Sequence, residues 1–401
     1  MRLYNGVRRV ADRVRGATPR FDEEALLEAA RRATGLDDFG EGPWREAFRV
    51  LLRAYDEESR LNPFGRMMVE QELGGVLRNR LALERAFRDE PSLRTLAVER
   101  PIFVLGLPRT GTTALHFLLG QDPARQVLEY WLAAAPGPRP PRERWRADPR
   151  FKQAARGLAI TYWLDPGLRA IHDLTAEGPD ECRHLFLQSF LDHTFDSNAT
   201  IPGYTRFFEA QDMRAAYERH RDVLRWIGSS APGRQWVLKY PAHMRNLATL
   251  LEVYPDACIV QTHRDPARVL PSVCSLVTGW RGIYEDWIDP VAIGGWQLDT
   301  YAGWLESAAH VRARSDPARF FDLHFRELVG DPLGAIARLY EHFGLGLSEA
   351  AERRMAEWHA ANPQGRHGGH RYRAEDYGLS TGAIRERFGD YLERFGVERE
   401  A

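Results

Sequence analysis

Apolar positions in the first hundred residues recur at intervals of three and four. Glu23 to Arg32, Trp44 to Tyr55 and Met67 to Phe87 all show this spacing, which predicts amphipathic helices. No chemical motif accompanies them, so residues 1–99 are read as an N-terminal helical layer. The pattern then changes. Ile102-Phe103-Val104-Leu105 is a short continuous apolar run that reads as a strand, followed by an apolar helical stretch from Ala114 to Leu119. Similar runs at Trp236–Lys239, Ala257–Thr262 and Arg319–His324 predict three more strands, with a helix from about His243 to Val253 between the first two of these. Strands that alternate with helices predict a parallel sheet covered on both faces. The expected fold is therefore α/β: a P-loop-type parallel sheet flanked by helices over residues 100–401, with a helical insertion at about 150–230 placed over the ligand face. Ala135-Pro136-Gly137-Pro138-Arg139-Pro140-Pro141-Arg142 is too rich in proline for regular structure and predicts a surface loop or lid.

The turn between the first strand and its helix carries chemistry. It reads Gly106-Leu107-Pro108-Arg109-Thr110-Gly111-Thr112-Thr113. A nucleotide-hydrolysing loop would place lysine where Thr112 stands, to reach the β- and γ-phosphates. The only cation in this loop is Arg109. Backbone N–H groups at such a turn and helix start still cradle an anion, but the missing lysine argues against a triphosphate.

Composition narrows the choices. Among 401 residues, 55 basic side chains nearly balance 56 acidic ones, and no broad basic stripe points to nucleic acid. Lys152 and Lys239 are the only lysines, which singles out Lys239 at a strand end. Cys182, Cys258 and Cys274 are few, odd in number and widely spaced, so they read as reduced packing residues, not as a disulfide frame or zinc site. No run approaches the roughly 18 apolar residues of a membrane span. A cytoplasmic protein is expected.

A second anion site is suggested at the end of the third strand. Asp265-Pro266 is a good helix start, which leaves Arg264 at the strand's carboxyl end, where open α/β sheets bind ligands. Pro271 is expected to kink the following helix and aim Ser272 at the same crevice. The stretch containing Trp280, Tyr284, Trp287, Trp296, Tyr301 and Trp304 is unusually aromatic; these residues pack the fold, and some are candidates to line a pocket for an apolar or aromatic acceptor.

The loop 106–113, the Arg264/Ser272 pair and Phe325-Arg326-Glu327-Leu328-Val329-Gly330-Asp331-Pro332 resemble the blocks of sulfotransferases that use 3′-phosphoadenosine-5′-phosphosulfate (PAPS). The Pro-Arg-Thr-Gly-Thr-Thr form is similar to the bacterial and tyrosylprotein branch. The resemblance covers about residues 101–132 and 234–396. It implies transfer of a sulfuryl group to a hydroxyl of a small molecule, releasing adenosine 3′,5′-bisphosphate without a metal. It further implies that Arg109, Thr110, Gly111, Thr112 and Thr113 hold the 5′-phosphosulfate, that Arg264 and Ser272 hold the 3′-phosphate, and that Phe325 lies near the nucleotide. Arg366, His370 and Arg371, in a glycine-rich basic segment, would close the 3′-phosphate site. Ala114 stands where the cytosolic branch has the tryptophan that stacks on adenine. Glu129, twenty residues after Arg109, matches the spacing of the catalytic glutamate in Pro-Arg members. His243 is the rival base, four residues after Lys239 where the cytosolic branch has two, and Lys239 is expected to polarise the sulfuryl or bridging oxygen. Two readings stand beside this one: a P-loop kinase, which wants lysine at position 112, and a non-catalytic nucleotide-binding protein. The oligomeric state is open.

Overall fold

The structure, a computed structural model, describes residues 1, 5, 20–164, 174–363 and 372–400. Among the described residues, three helices precede the first strand: α1 (Glu23–Thr34), α2 (Trp44–Glu57) and the long α3 (Pro63–Asp89). Asp22 caps α1 through the Ala25 N–H, and Asn62 caps α3 through the Gly65 N–H, each accepting where a helix start leaves donors unpaired. The α/β part follows, with β1 (Ile102–Gly106), α4 (Thr112–Leu119), the short β2 (Arg125–Val127) and α5 (Tyr130–Ala134). A run of helices then separates β2 from its neighbour: α6 (Pro149–Leu164), α7 (Arg183–Leu187), α8 (Thr194–Asn198), α9 (Pro202–Glu209) and α10 (Arg214–Gly228). Next come β3 (Gln235–Lys239), a 3₁₀ turn (Pro241–Met244), α11 (Leu247–Val253), β4 (Cys258–His263), α12 (Pro266–Tyr284), α13 (Pro290–Arg312) and β5 (Phe320–His324). The chain ends in smaller helices, beginning with α14 (Phe325–Gly330).

All pairings in the five-stranded sheet are parallel, in the order β2-β3-β1-β4-β5. Every residue of β1 and β4 is buried, as continuous apolar strands covered on both faces should be. The predicted strands all form, and the α/β class holds. Only β2 went unread: three residues, two of them polar, give no period to detect.

One sheet face packs with the N-terminal layer. Phe48, Leu51, Val69 and Leu77 share a continuous buried cluster with Phe103, Leu238 and Ile259. The opposite face, with Val104, Val237 and Val260, packs on α4 and on later helices through Leu115, Ile336 and Leu339. No helix among the described residues is long and apolar enough to cross a membrane.

The proline-rich segment departs from its expected role. Pro136, Gly137 and Arg139 are buried, and the Arg139 guanidinium is fixed to Gln126 (2.6 Å), the Val127 carbonyl (2.6 Å) and Glu129 (2.9 Å). A segment pinned by a buried cation is a strut, not a lid.

Candidate active site

The loop after β1 is shaped by close contacts. Gly106 has φ +138°, and a Cβ there would lie 2.3 Å from Thr262 Oγ1 on the neighbouring strand, so only glycine fits. Arg109 and Gly111 also take positive φ, 67° and 91°. Successive turns of this kind point backbone N–H groups into one concavity, next to the N-terminus of α4. Thr110 does not face that concavity. Its hydroxyl is fully buried, donates to the Leu107 carbonyl at 2.6 Å and meets Thr262 Oγ1 at 2.5 Å, tying the loop to β4.

Beside the loop lies a cavity of about 480 Å³. Its lining includes Arg109, Gly111, Thr112, Thr113, Lys239, Arg264 and Phe325. The side chain of Lys239, 3% exposed at the end of β3, donates to Glu181 Oε1 at 2.7 Å. Glu181, 20% exposed, also lines the cavity, as do Asp180 and His193. Burial acts to raise the Asp180 carboxyl, but the His184 hydrogen bond at 3.0 Å and nearby cations outweigh it and hold the group below its usual range. His193 is pushed down by burial, against the pull of Asp192 and Glu181, so its imidazole is held neutral more firmly than a free one. Its Nδ1 meets the Tyr240 hydroxyl at 2.6 Å, and that hydroxyl donates to Asp192 at 2.7 Å. Apolar side chains also line the cavity, namely Leu174, Val273, Leu276, Val277, Trp280 and Tyr301. Of the six aromatic residues expected near an acceptor, Trp280 and Tyr301 reach the cavity; Trp304 packs edge-on against both Tyr301 and His193, and Trp287 is exposed over Arg60.

Arg264 joins the two expected anion sites. Its Nη1 donates to the Arg109 carbonyl at 2.9 Å, its plane lies 3.9 Å from the Phe325 ring centre, and Nε and Nη2 grip the Glu400 carboxylate at 2.9 and 3.0 Å. Ser272 is buried on α12 and is not part of the cavity wall. Pro271 sits inside α12, which runs on to Tyr284. Arg366, His370 and Arg371 lie outside the described residues.

Neither expected base lines the cavity. Glu129 is 6% exposed, and its Oε2 accepts from Arg139 Nε (3.1 Å) and Nη2 (2.9 Å). Its carboxylate is thus held by a guanidinium brought in by the proline-rich strut. His243 is fully buried, with Nδ1 at 2.8 Å from the Tyr217 hydroxyl. Sequence reasoning overlooked Glu181, Asp180 and His193. For Asp180 and Glu181 the signal was the polar run Glu177-Gly178-Pro179-Asp180-Glu181-Cys182-Arg183-His184, set directly before the apolar Leu185 to Leu187 inside the expected insertion; His193 lies outside it.

A parallel sheet with a glycine-shaped loop after its first strand, and cations at the ends of the two strands beside it, has the arrangement at which open α/β sheets bind ligands. The profile of the sulfotransferase family matches residues 101–349, and the chain belongs to that family. The structure of sulfotransferase STF1 from Mycobacterium tuberculosis is 38% identical, covering 92% of this chain and 98% of that one, with a TM-score of 0.83. STF9 from Mycobacterium avium is 32% identical over 96% of this chain and all of that one, with a TM-score of 0.86. Omega-hydroxy-beta-dihydromenaquinone-9 sulfotransferase Stf3 of Mycobacterium bovis is 26% identical over 330 residues, 76% of this chain and 77% of Stf3. The protein is thus a transferase that moves a sulfuryl group, and the kinase reading falls away.

Proposed function

We propose that this enzyme transfers the sulfuryl group of PAPS to the terminal hydroxyl of a long apolar alcohol. The observation that carries this reading is one cavity lined both by the loop after β1 with Lys239 and Glu181 and by aliphatic and aromatic side chains. The lipid quinone alcohol in the name of the Stf3 relative has the same combination, a single hydroxyl on a large apolar body. The chemistry of the donor set fits PAPS. Arg109 and the loop N–H groups suit the 5′-phosphosulfate, Arg264 suits the 3′-phosphate, and the Phe325 face suits a base. The donor, when bound, supplies an activated sulfuryl group on its 5′-phosphate.

This chain's residues then divide the work. Lys239 donates to the oxygens that gain charge as the bond from sulfur to the phosphate oxygen breaks, which is where fixed donors contribute most. Glu181, beside Lys239, takes the proton from the acceptor hydroxyl as its oxygen bonds to sulfur. The Glu181–Lys239 contact keeps both groups on the line of transfer. The apolar lining excludes water, which would otherwise compete as acceptor.

The test is turnover with PAPS on two sets of alcohols. ω-Hydroxylated isoprenoid or fatty chains should be sulfated, with kcat/KM rising as the chain lengthens to fill the cavity. Equal turnover of small polar alcohols would overturn the assignment of the acceptor, while leaving the donor assignment standing.

A further inference from the structure

His243, singled out in the sequence for catalysis, belongs to a different constellation. Cys182, His220 and His243 are each fully buried, and a ring nitrogen of each histidine and the Cys182 sulfur all lie within 4.8 Å of one another. The Nδ1 atoms are already engaged, His243 with Tyr217 Oη at 2.8 Å and His220 with Tyr254 Oη at 2.7 Å. Both Nε2 atoms are buried with no hydrogen-bond partner. An orphaned polar atom in the interior is uncommon and costly; two of them beside a free thiol need a common explanation.

Packing holds the rings in place. Phe186 stacks on His220 at 5.0 Å between centroids, and Phe103 meets His243 edge-on at 5.0 Å. A phenol on Nδ1 and a free Nε2 is the arrangement of a metal-binding imidazole whose outer partner fixes ring orientation. The three anchors come from separate elements: Cys182 from the start of α7, His220 from α10 and His243 from the 3₁₀ turn after β3.

We propose that Cys182, His220 and His243 form a buried binding site for one Cu(I) ion. Sulfur and imidazole ligands select soft ions. Charge chooses among them. One thiolate and two neutral imidazoles carry a single negative charge, which a monovalent ion cancels. A divalent ion would leave a net positive charge in a site closed to water, where uncompensated charge is costly. Ligand bonds of roughly 2.0–2.3 Å place three ligand atoms about 3.5–4 Å apart, so rotamer adjustments of about an ångström close the site. Binding displaces the Cys182 proton to solvent. None of this depends on the sulfuryl-transfer reading.

The test is anaerobic titration of the full chain with Cu(I) against a chromophoric Cu(I) chelator, followed by thermal melting. The expected result is one equivalent bound with a raised Tm. Cys182→Ser should abolish stoichiometric binding, Tyr217→Phe should weaken it about 10–100-fold through loss of the outer partner, and Cys258→Ser, in the core on the opposite sheet face, should leave it unchanged. X-ray absorption at the copper edge of the wild-type protein should report one sulfur and two nitrogen ligands, a readout that does not require any variant to fold. Copper retained equally by Cys182→Ser, or a copper environment without sulfur, would overturn the site. Preference for Zn²⁺ over Cu(I) would overturn the charge argument.

Discussion

Two buried pairs of a basic residue with a glutamate sit past the ends of adjacent strands, and they have opposite characters. After β2, Glu129 and Arg139 are each 7% exposed in their side chains, and the guanidinium is also held by Gln126 and the Val127 carbonyl. After β3, Lys239 and Glu181 meet at 2.7 Å, but Glu181 keeps 20% exposure and both line the cavity. The first pair has its donors satisfied by the protein and acts as a fastening. The second offers the cavity a carboxylate and an ammonium at one point. A glutamate beside a cation is therefore no guide to catalysis until its remaining hydrogen-bond positions are accounted for.

Exchanging each glutamate for its neutral isostere separates the two most sharply. Glu181→Gln is expected to lower kcat by about 10²–10⁴-fold with donor binding nearly intact, and acceptors of lower pKa should recover part of the loss. Glu129→Gln should instead leave Arg139 buried without its counter-charge, lowering stability by about 3–5 kcal/mol. Its kcat per folded molecule should stay near wild type, measured after active-site titration. The reverse pattern would return the catalytic role to Glu129.

A third pair lies between these extremes. Arg264 and Glu400 are each 20% exposed, and the carboxylate occupies the guanidinium edge that a 3′-phosphate would use. Arg264→Ala should weaken adenosine 3′,5′-bisphosphate roughly ten- to a hundredfold, the worth of about 1.5–3 kcal/mol for a charge-assisted contact, with little effect on adenosine 5′-phosphate. Glu400→Gln should act the other way, tightening the bisphosphate alone by several-fold, about 1 kcal/mol for an exposed pair. Calorimetry that shows equal changes for both nucleotides would remove Arg264 from the 3′-site.

The remaining effect is read as a pH slope and concerns His116, on α4 near Lys239. Burial first, and then the charge of Lys239, lower its pKa to about 3. Folded protein keeps the ring neutral, while the unfolded chain takes up a proton near pH 6.5. Its contribution is fully present above pH 6.5 and is lost as pH falls towards 3, at about 1.4 kcal/mol per pH unit. His116→Gln should flatten that part of the stability profile in denaturant titrations; an unchanged slope would show that the ring already titrates normally.

Much of the architecture was legible. The strands β1, β3, β4 and β5 each contain an apolar stretch, and the inner strands β1 and β4 are buried throughout, as a parallel sheet covered on both faces requires. The loop was legible because Gly106 and Gly111 answer backbone requirements that no other residue meets. Thr110 was not, since a threonine in an anion loop can turn its hydroxyl to the ligand or to the neighbouring strand, and Thr262 took it. Glu181 was missed for a similar reason. It lies 58 residues from Lys239 in the chain, and no local spacing reports a contact of that range.

By itself, then, the sequence determined the alternation of strands and helices, the position of the loop and the cations at the strand ends. These are local consequences of period, backbone conformation and side-chain charge. Only the tertiary structure decided which of the two paired carboxylates is enclosed with a guanidinium and which lines the cavity. It also decided that the proline-rich segment is a strut, and that Cys182, His220 and His243 converge. Each of those outcomes depends on which distant partner claims a polar group first. In a close-packed interior, that choice is made by geometry that the linear chain does not contain.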